Sequence, residues 1–186
     1  MGNKRKKKPI VVHGKDLTAY GVFRLGQTYR MHADALASVV SQFGPQMSDH
    51  PRRLLYFQAL ENYLRSFQLL GGETPEIVRD YGHDFAKRLK TCKALGLQLP
   101  QEVEDKICTD LAIEYVRVRY DYRLDDEIEP WASEETLEQL RSVVEELERS
   151  VGLAVQASNP EFIMFGNIKL FKLSASEWAG SAISAR

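Results

Sequence analysis

"YFQALENYLRSFQLLGG", residues 56–72, is the stretch whose reading decides the fold. Tyr56, Leu60, Tyr63, Phe67 and Leu70 recur at steps of three and four, which lines them along one face of an α-helix. Gly71-Gly72 ends the run as helix C-terminal glycines do, while Asp49 is a candidate cap and Pro51 sits just inside the start, where its missing N–H does no harm. Tyr56, Phe57, Tyr63 and Phe67 cover more than one face of this helix. A helix in a monomeric bundle buries a single stripe, so the surplus ring surface predicts a homodimer.

The same period governs most of the chain. Residues 16–43 read as a long helix with Leu25, Tyr29, His32, Leu36, Val39 or Val40, and Phe43 on its inner face, stopped by Gly44-Pro45. Thr74-Pro75 opens one helical turn. A helix over 83–95 follows, with Phe85, Leu89, Cys92 and Leu95 inside and Gly96 as its C-cap. After Pro100 the next carries Val103, Ile107, Leu111, Tyr115 and Val118. Beyond Pro130, Ser133 caps a fifth, with Glu134 and Glu135 in the turn where the dipole favours anions, and Leu137, Leu140, Val144, Leu147 and Val151 inward. The expectation is an all-α, up-and-down bundle of about five helices spanning 16–155. It is preceded by a basic flexible tail, 1–15, and followed by an extension, 156–186, that is either a short hairpin about Gly166-Asn167 or a disordered tail.

The net charge of −1 hides an asymmetry, because the first fifteen residues hold six cations and no acid. The remainder sets 19 basic against 26 acidic side chains, which argues against broad nucleic-acid affinity while leaving room for a local basic stripe. Only "PIVV" follows the Lys4–Lys8 run, far short of a signal-peptide core, and no run is long enough to span a membrane, so a cytoplasmic protein with no membrane partner is expected. Cys92 and Cys108 lack zinc or redox spacing and read as buried free thiols. His13, His32, His50 and His83 are scattered, so neither a metal nor a cofactor is expected, and His32 reads as a core histidine.

Two stretches carry candidate chemistry. In "RVRYDYR", 117–123, Arg119 and Arg123 lie four apart with Tyr120 and Tyr122 beside them, so Arg117, Arg119, Tyr120 and Arg123 are the candidate contacts to a nucleotide, RNA or partner. The competing reading pairs these charges with "DDEIE" at 125–129. In "YGHDF", 81–85, Gly82, His83 and Asp84 form a structural motif. Gly82 turns the chain, and His83 enters the first helical turn as a neutral imidazole bonded to a neighbouring helix. Asp84 supplies the negative charge that end prefers.

From "YFQALENYLRSFQLLGG" through "YGHDFAKRLKTCKALGL" to "YVRVRY", roughly residues 50–123, the chain resembles the HEPN family, the higher eukaryote and prokaryote nucleotide-binding domains. The resemblance implies a small, commonly dimeric helical bundle. It also implies a setting in toxin–antitoxin pairs or defence systems, with a nucleotidyltransferase or antitoxin as possible partner. Many members are metal-independent ribonucleases built on an Arg, four to six residues, then a His. None of the four histidines here has an Arg at that spacing; Arg79 leaves only three residues before His83. The reading is therefore a divergent, non-catalytic binding module that holds a partner protein, nucleotide or RNA. The alternative is a ribonuclease toxin with a displaced acid/base group, such as His83 acting with Arg119.

Overall fold

The computed structural model describes residues 16–43, 49–120 and 133–159 and, by backbone alone, two strands at 162–165 and 169–172. The chain is all-α, with seven helices among the described residues: α1 (Ala19–Phe43), α2 (His50–Leu70), α3 (Pro75–Asp80), α4 (Phe85–Ala94), α5 (Gln101–Cys108), α6 (Asp110–Tyr120) and α7 (Glu134–Ser158). Two differences raise the count from five. The turn opened at Thr74-Pro75 is a short helix, capped by Thr74 accepting from the Ile77 N–H. The helix expected after Pro100 breaks at Thr109, whose hydroxyl donates to the Asp105 carbonyl, a back-bond that bends helices. The extension forms an antiparallel hairpin, β1 (Phe162–Phe165) with β2 (Lys169–Lys172), Phe165 facing Lys169.

α2 is the axis of the fold. It packs against α1 and α7 on one side and α4, α6 and α3 on the other. Tyr56, Phe57, Leu60, Tyr63 and Leu64 are fully buried within the single chain. The rings that suggested a second copy are thus covered by the chain's own helices, and the inference from them to a homodimer loses its basis. Phe57 stacks on Phe85 at 6.1 Å, and Tyr115 closes the cluster at 5.2 Å from Phe57 and 5.1 Å from Phe85, tying α2, α4 and α6 together.

α1 is phased differently from the expectation. Leu25 is 44% exposed, and His32 is exposed with Nδ1 2.7 Å from the Thr28 carbonyl, so it is no core histidine. Val22, Phe23, Gly26, Gln27, Arg30 and Ala33 face inward instead. The cause is a close approach: a Cβ on Gly26 would lie 2.7 Å from the Tyr63 ring, so the helices meet at the glycine. This phase buries two polar side chains, which Glu148 of α7 satisfies by accepting from Gln27 Nε2 at 2.9 Å and pairing with Arg30 Nε at 2.5 Å. Arg30 also reaches Asp34 at 2.6 Å, and Asp34 accepts from the Tyr56 hydroxyl.

Cys92 is buried as expected, and burial pushes its thiol up to about 12. Cys108 is exposed, a correction that follows from its place at the solvent-facing end of α5. No described helix is long and apolar enough to cross a membrane.

Candidate functional site

The site grows from a carboxylate in an unusual place. Glu61 lies mid-way along α2 and is only 6% exposed, a position that demands compensation because an unpaired buried charge is costly. Two side chains supply it, and a third flanks them. His83 Nδ1 lies 2.7 Å from Glu61 Oε2, and Arg88 of α4 brings its NH2 to 3.7 Å from Oε1. From α6, Tyr115 sets its ring edge-on to His83 at 5.3 Å.

Arg88 also shapes the loop that carries His83. Its Nε and NH2 donate to the Gly82 carbonyl at 3.2 and 2.7 Å, and its NH1 donates to Gln68 Oε1 at 2.7 Å. The guanidinium is 1% exposed, and burial lowers its pKa while Glu61 opposes that shift. Gly82 adopts φ +56°, the left-handed region glycine enters without strain, and Asp84 caps α4 by accepting from the Lys87 N–H at 2.9 Å. His83 therefore precedes α4 rather than entering its first turn. Its bond to a neighbouring helix is present, but its side chain is 50% exposed.

That exposure changes what the imidazole can do. The Glu61 carboxylate engages Nδ1 at 2.7 Å and orients the ring, which leaves Nε2 as the nitrogen turned away from that contact. Nε2 has no hydrogen-bond partner among the described residues. Arg119 completes the face from α6. Its guanidinium lies 5.3 Å over the Tyr115 ring and donates to the Tyr115 hydroxyl at 3.4 Å, which also accepts from Gln58 Nε2 at 3.0 Å. Burial, then the Glu61 charge, raises the Tyr115 pKa, so the phenol stays neutral.

Arg117 and Arg119 are both exposed in the last turn of α6. Tyr120 ends that helix, its side chain outside the described residues, as is all of Arg123 and the "DDEIE" run. Glu61, Tyr115 and Gln58 join the site although none was a candidate from the sequence. Tyr115 reads as a core ring at helical spacing. Glu61 did carry a signal, an acid inside a helix that is apolar on two faces. Among the described residues no group of three metal-ligating side chains converges.

No family model, curated protein or solved structure matches this chain.

Proposed function

We propose that this chain is a HEPN-like helical module that binds a phosphate-bearing ligand, an RNA or a nucleotide, on the exposed face where His83 and Arg119 flank the buried Tyr115. The observation that carries the reading is the half-exposed His83 ring held by a buried carboxylate, with the Arg119 guanidinium on the adjoining tyrosine. A guanidinium fork beside an imidazole suits an anionic oxygen, and anchoring both before the ligand arrives lowers the cost of binding. Fluorescence anisotropy with a labelled single-stranded RNA and with AMP, on the parent and on Arg119→Ala, tests it. Binding that survives the substitution unchanged would overturn it.

A second reading uses the same residues as a metal-independent endoribonuclease, and one observation favours it. The Glu61 contact to Nδ1 leaves Nε2 to take or give a proton at a phosphodiester, the arrangement by which a carboxylate orients a general base. Incubating structured RNA with EDTA separates the two: intact RNA supports the binding module, and cleavage lost in both His83→Ala and Arg119→Ala supports the enzyme.

For a homodimer, or a nucleotidyltransferase or antitoxin partner, the apolar surface we would point to is on α6. There Ile113 and Val116, one turn apart, are 58% and 56% exposed. Light scattering at ~50 µM, where a micromolar dimer with about −8 kcal/mol of association energy persists, tests the dimer.

A further inference from the structure

From the charge along α4 we infer that a single-stranded nucleic acid runs from the His83 face along the outer side of that helix, its phosphates meeting Lys87 and Lys90. The inference rests on the phosphate-binding reading of the His83 site and extends it from a point contact to a track.

α4 is the exception in an acidic body. Its ten residues, FAKRLKTCKA, hold four cations and no acid, although the chain beyond residue 15 has seven more acidic than basic side chains. Phe85, Arg88, Leu89 and Cys92 face inward, which turns Lys87 and Lys90 outward, both exposed. Three residues apart on a helix, they are neighbours about 5–6 Å apart. Neither forms an ion pair among the described residues, and Lys87 rests 4.9 Å over the Tyr81 ring, at the start of the loop that bears His83. Lys93 continues the row but is paired with Glu104 of α5.

The cationic strip is narrow, and this selects the ligand. A cleft of about 360 Å³ between α4 and α5 brings Glu104 and Asp105 beside Lys90, so a ligand as broad as a duplex would set phosphates against carboxylates. A single strand following the outer side of α4 keeps off α5 and passes one carboxylate, that of the exposed Asp84, whose Oδ1 is engaged by the Lys87 N–H. Its affinity would come from displaced counterions, one for each phosphate neutralised, and so would fall steeply with salt.

The test is the salt dependence of an eight-nucleotide single-stranded RNA, measured by anisotropy on the parent, a Lys87→Gln/Lys90→Gln double variant and Arg119→Ala. Both lysines are exposed, and Gln keeps a similar helix propensity, so the fold is retained. The expected result is a log K against log salt slope shallower by about 1.4 in the double variant, and an affinity loss of roughly 25-fold at 0.1 M salt. AMP, which spans only the His83 face, should bind parent and double variant alike and lose affinity in Arg119→Ala. An unchanged slope with RNA still bound overturns the track and leaves the site reading standing, as does AMP binding without RNA binding. If neither ligand binds, both readings fall. Competition by polyglutamate of equal length as strong as that by unlabelled RNA would also overturn the proposal, in favour of an acidic protein segment.

Discussion

Removing the Arg88 guanidinium should be among the most damaging single changes in this protein. In Arg88→Met the side chain keeps its apolar stem but abandons three acceptors. The Gly82 carbonyl loses two donors, Gln68 Oε1 loses one at 2.7 Å in a fully buried position, and Glu61 is left without its nearest cation of α4. A stranded buried acceptor costs about 1–3 kcal/mol, and breaking a buried pair from one side costs about 3–5 kcal/mol. Because these acceptors share one donor group, their costs overlap, and a total near 4 kcal/mol is expected. That is a large part of the ~5–15 kcal/mol that holds a typical chain folded. With a urea slope of about 2 kcal/mol/M the midpoint should fall by about 2 M. Glu61→Gln in the same chain removes the uncompensated charge, so the double variant should be less destabilised than the two single losses added together. A drop under about 1 kcal/mol at unchanged slope, or strict additivity, would refute the view that Arg88 holds Glu61 and the His83 loop in one buried network.

Arg119→Ala should cost under about 1 kcal/mol of stability, the scale of an exposed cation–π contact, while markedly weakening RNA and AMP binding; urea melts and anisotropy on one preparation read both. Iodoacetamide on the native protein should label Cys108 alone, because Cys92 is buried with its thiol pushed up to about 12, and mass spectrometry should find a second label only after denaturation. Burial raises the Glu114 carboxyl above its ordinary value despite the nearby Arg53, so the folded chain holds that proton more tightly than the unfolded chain. The corresponding stability is fully present below the unfolded pKa of about 4.5 and is lost as pH rises through the folded value. Parent minus Glu114→Gln stability should therefore shift in the parent's favour as pH falls from 7 toward 4.5, and a flat difference would count against a buried, desolvated Glu114.

The local signals in the chain located most of the helices and several of their ends, though not the break at Thr109 or the start of α4 at Phe85. Asp84 and Ser133 accept from the N–H three residues on, and Gly96 takes φ +101°, each a short-range event that neighbouring residues dictate. The inward faces of α6 and α7 also follow from periodicity, since each packs one stripe: Leu111, Tyr115 and Val118, then Leu137, Leu140, Val144, Leu147 and Val151, are all buried. Periodicity failed where packing overrode hydrophobicity. α1 turns its glycine rather than Leu25 toward α2, because the close approach at Tyr63 and the Glu148 partners outweigh the exposure of one leucine. α2, buried on all sides, has no single stripe to find. The candidate site was legible only in fragments, Arg119 from its cluster and His83 from its turn. What joins them is Glu61, 22 residues before His83, and Tyr115, 32 after it. A buried carboxylate's partners are chosen by which helices the core brings alongside, and contacts across that separation exist only once the tertiary structure has formed.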